Sequence, residues 1–427
     1  MNCLGQVIRS TTGRQVPTQA QTRVRRRLLA NNNSPCASDT QEQPTSIPLR
    51  EHLSRQNIQT AMRLLRPPIT TTTTTSSNKP QSDTAMIPQD NTQFENLMNY
   101  DPILTQCIAN WLWTNYKIND HPYFDLHIVN LFSDLPQAVH FCKSIMEYYR
   151  WRLPGDKFSL VHFHLVPLYP CGPTMISQSV VMDLMRDIPG DGVELVLDSS
   201  VFPLDKVSGD FSTDDPVYIL MMNDVMKVLS QDLVRFNSES CQWEQCYIDR
   251  DPGSKTGGYE VSFKSSMEFW CDRTLSVIKE SGSSLGASFY IPTQLVQLFD
   301  AINLYVPNHH LLLIDSPVSQ QSKLLRKLKS LLGYNNLRTA EAIETPEGLR
   351  FKNDFTFIQC VLNNLNQSAR RYEVMSLGEL VDVWTEARVK RGSTSSGTTT
   401  GLPAAFTNKL RYQLRLISDS SLQVLYS

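Results

Sequence analysis

The stretch Tyr123–Arg152, YFDLHIVNLFSDLPQAVHFCKSIMEYYRWR, decides which fold this sequence predicts. Residues Leu126–Phe132 form an apolar, β-rich run of the length expected for one buried strand. Asp134 is suited to cap the helix that follows, and Pro136 suits its first turn. Apolar residues then recur at helical spacing: Val139, Cys142, Ile145, Met146 and Tyr149. A strand, a short turn and a helix in this order are typical of the first unit of a doubly wound α/β sheet.

The turn of this unit lacks the residue type that ligand binding at such a turn requires. A nucleotide-like ligand lies over the turn, at the carboxyl end of the strand, where glycines let the backbone approach it. Here the turn reads Phe132-Ser133-Asp134-Leu135-Pro136 and contains no glycine. The pattern therefore predicts the fold and argues against the usual cofactor contact.

The rest of the chain continues the alternation of strands and helices. Further strands are predicted at Phe158–Leu168, Val193–Leu197, Pro216–Met222, His310–Asp315 and Leu422–Tyr426. Helices are predicted at Met175–Ile188, Val225–Leu229, Met267–Lys279, Gln294–Leu304, Asp354–Leu365 and Leu377–Val389. An antiparallel hairpin is expected at Arg235–Ile248, with its turn at Ser238–Cys241. This order favours the α/β class over the others.

Composition excludes several classes of function. The net charge of −2 gives no general attraction to nucleic acid. The nine cysteines form no CxxC pair, so neither a zinc site nor a disulfide framework is predicted. No apolar run is long enough to cross a bilayer, so no transmembrane segment is expected.

The N-terminal residues have the composition of a targeting segment. Six arginines precede the first acid, Asp39: Arg9, Arg14, Arg23, Arg25, Arg26 and Arg27. We interpret residues 1–45 as a disordered mitochondrial transit peptide, with a basic tail or nuclear-type signal as the alternative. The predicted order is then a helical segment at 46–68, a Thr/Ser-rich linker at 69–90 and an α/β domain at 91–427. A flexible insertion is expected at about 390–402.

Two histidines on the second predicted strand form the one candidate metal pair. His162 and His164 alternate with apolar residues and therefore share a face of the strand. A third ligand is not evident in the sequence. Ordinary surface or half-buried histidines are the favoured interpretation, and no metal site is predicted.

Four blocks of the sequence, taken in order, resemble the MidA-type mitochondrial protein arginine methyltransferase family, whose members serve respiratory complex I assembly. In the block PVYILMMNDVMKVLSQDLVRF (Pro216–Phe236), Asn223 and Asp224 stand at the family's Asn-Glu pair. The other blocks are Gln242–Asp249, Tyr290–Pro317 and Leu422–Leu425. The resemblance covers roughly residues 95–427 in patches and is closest to the fungal branch.

This resemblance implies a fold, an activity and a location. The fold is a Rossmann-like class I S-adenosylmethionine-dependent methyltransferase fold with helical additions, in the mitochondrial matrix. The activity is symmetric dimethylation of an arginine on a protein substrate, with S-adenosyl-L-methionine as cofactor. Asn223 and Asp224 would lie where the substrate arginine binds, and Asp224 could orient its guanidinium. The alternative role for Asp224 is that of a helix cap.

The same resemblance exposes departures at the cofactor site. The positions of the family's glycine loop are occupied by Asn130, Phe132 and Asp134, and Pro136 takes the last one. The family's acid after the second strand is replaced by an apolar run, Pro167–Pro170. Weakened binding of S-adenosylmethionine is therefore expected. Two alternatives stay open: a non-catalytic mitochondrial assembly or scaffold protein that keeps the fold, and an α/β protein that binds another nucleotide.

Overall fold

The structure is a computed structural model, which describes residues 46–64, 101–169, 183, 185–195, 215–222, 225–250, 259–280, 287–317, 340–345, 348–365, 371–385, 414, 416–417 and 420–427. The predictions of a transit peptide at 1–45, a linker at 69–90 and an insertion at 390–402 lie outside the described residues. So does most of the helix predicted at Met175–Ile188, namely 175–182 and 184.

The bounds of the strands and helices in the described part of the chain are as follows. The strands are β1 (Ser46–Pro48), β2 (Leu126–Phe132), β3 (Val161–Pro167), β4 (Val193–Leu195), β5 (Val217–Met221), β6 (Asp232–Asn237), β7 (Gln242–Arg250), β8 (Tyr259–Lys264), β9 (Ser288–Ile291), β10 (His309–Asp315), β11 (Ala340–Thr345), β12 (Gly348–Asn353), β13 (Glu373–Ser376) and β14 (Gln423–Tyr426). The helices are α1 (Leu49–Leu64), α2 (Ile103–Asn119), α3 (Leu135–Arg152), α4 (Gly155–Phe158), α5 (Val225–Val228), α6 (Phe269–Glu280), α7 (Thr293–Tyr305), α8 (Phe355–Leu365) and α9 (Leu377–Trp384).

The main sheet has seven strands in the order β13-β14-β10-β5-β2-β3-β4. Strands β10, β5, β2, β3 and β4 are parallel to one another, whereas β14 is antiparallel to both β10 and β13. From β2 the chain moves outward to β3 and β4, and then returns to add β5 and β10 on the other side. The switch point of this doubly wound sheet therefore lies between β2 and β5, where a ligand crevice is expected.

Alternating side chains of β2 pack into two hydrophobic cores, one on each face of the main sheet. Leu126, Ile128 and Phe132 pack into a core built largely from α2, α3 and α9. Val129 and Leu131 belong to the opposite core, which includes α6, α7 and α8. Both faces of the strand are buried, which explains why its sequence is apolar almost throughout.

The second sheet, which we call the inserted sheet, is built from β1 and from strands β6 to β9, which lie between β5 and β10 in the chain. Its strands pair in the order β1-β7-β6-β9, and β8 lies along the other edge of β7. The N-terminal strand β1 is held there by Arg50 at the start of α1. The Arg50 side chain contacts the carboxylates of Asp232, at 3.3 Å, and Glu268, at 2.7 Å. The Asp232 side chain is fully buried.

The described part of the chain contains the nine helices α1 to α9. None of the helices there combines the length and the apolar character that crossing a bilayer requires.

Candidate functional site

The turn between β2 and α3 is held by a helix cap and a buried ring. Asp134 is the N-cap of α3, and its carboxylate accepts a hydrogen bond of 3.1 Å from the backbone N–H of Gln137. Pro136 lies in the first turn of the helix, as the sequence predicted. Phe132 is 6% exposed, with its ring in the core beside α3. Its carbonyl accepts the N–H of Leu168 at 2.8 Å.

Asn130 is the polar residue buried in β2, two residues before its end. It is 3% exposed and stands in register between Leu165 of β3 and Leu220 of β5. The structure thus brings the three predicted cofactor positions, Asn130, Phe132 and Asp134, to the carboxyl edge of the sheet at its switch point.

The carboxyl end of β3 carries apolar and aromatic side chains. Leu168 is fully buried, and Tyr169 is 5% exposed. The Tyr169 hydroxyl donates a hydrogen bond of 2.6 Å to the carbonyl of Val228, at the end of α5. Burial raises the pKa of Tyr169 to about 12, so this hydroxyl remains a donor at neutral pH.

Helix α1 is tied to this edge by a network of amide and hydroxyl groups. The Asn57 side chain donates to the Val228 carbonyl at 2.9 Å. The Gln294 side-chain oxygen accepts the backbone N–H of Ser230 at 2.7 Å, and its nitrogen donates to the hydroxyl of Ser54 at 2.7 Å. The N-terminal segment therefore contributes directly to the edge of the sheet that carries the site.

A buried ion pair lies next to this network. Asp315 ends β10, and its carboxylate lies 3.1 Å from the ammonium of Lys227 in α5. The same carboxylate accepts the N–H of Ser316 at 2.6 Å. The predicted substrate residues Asn223 and Asp224 immediately precede α5 in the chain, but they lie outside the described residues.

The two predicted strand histidines join a third one at the opposite, amino edge of the sheet. The ring of His127 is stacked on those of His162 and His164, with centroids 4.9 and 5.5 Å apart. Nδ1 of His127 lies 3.2 Å from Nε2 of His164. Burial, with the two neighbouring imidazoles, lowers the pKa of His127 to about 4. Among the described residues, no three His, Cys, Asp or Glu side chains are grouped to hold a metal ion.

Comparison with known sequences identifies the family. Residues 107–372 match the profile of a family described as "Putative S-adenosyl-L-methionine-dependent methyltransferase". The chain is also 32% identical over 397 residues to the yeast (Saccharomyces cerevisiae) protein named "Protein arginine methyltransferase NDUFAF7 homolog, mitochondrial". The alignment covers 90% of this chain and 91% of the yeast protein. The chain belongs to the MidA-type methyltransferase family. The resemblance seen in the sequence is thereby confirmed.

Two solved structures are similar to this chain. An uncharacterized protein of Burkholderia thailandensis superposes with a TM-score of 0.50 over 96% of this chain and 91% of its own, at 11% sequence identity. A second Burkholderia thailandensis structure, titled a "likely methyl transferase" and bound to S-adenosyl-homocysteine, gives a TM-score of 0.47 at 8% identity, covering 77% of this chain and 76% of its own. The family profile, the order of the main sheet and the first of these structures together confirm the predicted Rossmann-like class I methyltransferase fold.

S-adenosyl-L-methionine is the cofactor of this methyltransferase family, and the described residues can be tested against it. The backbone of a glycine loop would have to approach the cofactor where this chain has Phe132, Asp134 and Pro136. The Phe132 ring is part of the core, and the Asp134 carboxylate is engaged as a helix cap. Leu168 and Tyr169 stand where a carboxylate would bind the ribose. These residues do not form the glycine cradle typical of such sites.

Sequence reasoning missed the residues that join the parts of this edge. Tyr169 and Gln294 are connected only through contacts between distant segments, so no local pattern predicts their meeting. Asp315 was visible as an acid ending an apolar strand. Its partner Lys227 was not, because an isolated lysine in a short helix usually faces solvent.

Proposed function

We propose that this protein is a mitochondrial protein arginine methyltransferase, which uses S-adenosyl-L-methionine to dimethylate an arginine of a protein substrate symmetrically. One observation carries the proposal: the 32% identity with the yeast protein arginine methyltransferase extends over 90% of the chain. An alignment of that length includes the carboxyl edge of the main sheet, the inserted sheet and the helices around them, rather than the nucleotide-binding half alone.

Asp224 is the residue we propose to orient the substrate guanidinium, with Asn223 beside it. A carboxylate can bind a guanidinium through two parallel charge-assisted hydrogen bonds. Two carboxylates at the carboxyl edge of the sheet that the structure describes are both engaged, Asp134 as the cap of α3 and buried Asp315 with Lys227. Both are therefore committed within the protein, which supports the choice of Asp224 for substrate.

A second function is favoured by the β2–α3 turn. A core-packed phenylalanine and a capping aspartate at the glycine positions support a non-catalytic mitochondrial assembly or scaffold protein that retains the fold. Such a protein would bind a partner through its surface and would need no methyl donor.

Two measurements on the full chain separate these functions. The first is titration calorimetry with S-adenosylmethionine and S-adenosyl-homocysteine, with ATP as the control ligand. The second is transfer of labelled methyl groups to mitochondrial proteins from cells that lack this protein. Cofactor binding by the unmodified protein, together with labelling that is lost in Asp224→Asn but kept in the surface control Asp183→Asn, would support the enzyme. Absence of both heat and label, together with full complementation of the deletion by Asp224→Ala, would favour the scaffold.

The protein's location is part of the same proposal. We propose import into the mitochondrial matrix through residues 1–45, followed by a segment at 46–68 that is helical after strand β1, a linker at 69–90 and the α/β domain at 91–427. The yeast relative's name supports the mitochondrial part. Fractionation of mitochondria with N-terminal sequencing of the recovered protein tests it, and recovery of an uncut chain from the cytosol would contradict it.

A further inference from the structure

Helix α1 carries a stripe of polar side chains that faces the segment joining α5 to β6. Arg50, Ser54 and Asn57 stand at positions i, i+4 and i+7 of the helix, so they share one of its faces. Taken in that order, they contact alternate residues of the segment: Asp232, Ser230 and Val228. The helix and the segment therefore run antiparallel, with about one contact for each turn of α1.

The hydrogen bonds at the α5 end of this segment are buried. Asn57 is 6% exposed, and its side-chain nitrogen donates to the carbonyl of Val228 at 2.9 Å. The hydroxyl of Tyr169, just beyond β3, donates to the same carbonyl at 2.6 Å. Two residues later, the N–H of Ser230 donates to the side-chain oxygen of Gln294 at 2.7 Å. The last residue of α5 and the residues after it are therefore held by side chains from three distant segments.

Helix α5 depends on such contacts because it is too short to be stable by itself. It consists of Val225–Val228, so its last carbonyls have no partners inside the helix. A helix of about one turn is not stable in water without tertiary contacts. The ammonium of Lys227 lies 3.1 Å from the carboxylate of Asp315 at the end of β10. The position of α5 is therefore set by its contacts with β10, with the end of β3 and with α1.

The proposed substrate residues directly precede this short helix. Because consecutive Cα atoms are about 3.8 Å apart, Asn223 and Asp224 must follow any displacement of Val225. A misplacement of about 1 Å at a reacting group lowers a rate by about a hundredfold, even when its origin is remote. A contact that fixes α5 is therefore suited to set how a substrate guanidinium meets Asp224.

We propose that helix α1 holds α5 in the position that substrate binding requires, and that Asn57 is the positioning residue in this contact. This role rests on the proposed function, in which Asp224 orients the guanidinium. Asn57 acts from 171 residues earlier in the chain than its partner Val228. The predicted cofactor positions lie on other elements, β2 and the turn before α3. Loss of the Asn57 contact should therefore affect the protein substrate rather than the cofactor.

Two substitutions of Asn57 remove the donor without leaving a buried group unpaired. Asn57→Leu keeps a branched side chain, and Asn57→Ala removes the same donor without adding volume. The Val228 carbonyl keeps the hydroxyl of Tyr169 in both variants. The guanidinium of Arg350, which donates to Asn57 at 3.2 Å, is half-buried and can reach water instead. The matched control is Gln56→Leu, at the exposed neighbour on the same helix. Thermal unfolding checks that each variant folds.

Amide hydrogen exchange of the full chain, without added ligands, tests whether α1 holds α5. We expect peptides that cover residues 225–232 to exchange at least about tenfold faster in the Asn57 variants. Exchange in β2 and β10 should stay unchanged, which separates a local loosening from a loss of global stability. The control Gln56→Leu should match the unmodified protein throughout. Unchanged exchange at 225–232 in both Asn57 variants would overturn the proposal.

Methyl-transfer kinetics test whether this contact serves the substrate. The probe is an extract of mitochondrial proteins from cells that lack this protein, titrated against labelled S-adenosylmethionine. We expect the initial rate at low extract concentration to fall at least about tenfold in the Asn57 variants, with an unchanged KM for S-adenosylmethionine. Unchanged rates despite faster exchange, or an equal rise of that KM, would overturn the positioning role. Absence of label with the unmodified protein would contradict the proposed function instead, and the exchange measurement alone would then decide whether α1 holds α5.

Discussion

The ammonium of Lys227 lies 3.1 Å from the carboxylate of Asp315, and these side chains are only 2% and 4% exposed. The pair joins helix α5 to the carboxyl end of β10, across the edge where the site is proposed. Two charges buried this far from water depend on each other, because either one alone would lack the solvation that it has in the unfolded chain.

Lys227→Met should therefore destabilise the protein strongly. We expect a loss of about 3–5 kcal/mol in the free energy of unfolding, measured with urea, because the Asp315 carboxylate would remain buried without its cation. Combining Lys227→Met with Asp315→Leu should recover most of that loss. Arg186→Met breaks a pair of 2.6 Å with Asp183 that is exposed, and should change stability by less than about 0.5 kcal/mol. A similar small effect of Lys227→Met would contradict the interpretation.

The stability of the fold should depend on pH through His127. Its pKa of about 4 lies below the ordinary value of 6.5, so the unfolded chain binds the proton more readily than the folded one. The stabilisation is complete above pH 6.5 and is lost as the pH falls towards 4, by up to about 3 kcal/mol. Urea unfolding of His127→Asn between these values should show a flatter pH dependence. His140→Asn, at an exposed histidine, is the control and should keep the original slope.

Loss of the Asp134 carboxylate should weaken the start of α3. Asp134→Ala removes the acceptor of the Gln137 N–H, and we expect a cost of about 1 kcal/mol in stability. Asp134→Asn retains an oxygen that can accept this hydrogen bond, so it should lower the stability by only a few tenths of a kcal/mol. Hydrogen exchange at the first turn of α3 measures the effect, and equal exchange in the two variants would argue against a capping role.

The link between Arg50 and the inserted sheet should hold the N-terminal segment in place. Arg50→Met leaves the fully buried Asp232 without its cation, so we expect a loss of about 3 kcal/mol and faster proteolysis near β1. Arg55→Met, on the same helix, breaks an exposed pair with Glu51 and should leave the cleavage rate unchanged. Equal rates in the two variants would show that the segment is held by its other contacts.

Much of the main sheet could be predicted from the sequence because its signals are local. The strand Leu126–Phe132 was predicted with its exact bounds, and Asp134 and Pro136 take the predicted places at the start of α3. The second strand begins at Val161 rather than Phe158, since Pro154 starts a short helix that includes Phe158. The short helix α4 therefore replaces the first residues of the predicted strand.

The remaining elements depend on partners far away in the chain. Strands β1, β9 and β13 have only three or four residues each and were not predicted, because a strand of that length is defined by its neighbour. His127 was likewise absent from the predicted histidine pair. Its place beside His162 and His164 follows from the register of β2 on β3, which no single segment encodes.

Strand β1 sets a boundary for any protease that shortens the N-terminus. Ser46–Pro48 pairs with Tyr247–Asp249, and Arg50 follows two residues later. A cut beyond residue 45 would remove a strand from the inserted sheet and detach the cation that neutralises Asp232. A processed form that keeps the inserted sheet intact would therefore have to begin at or before Ser46.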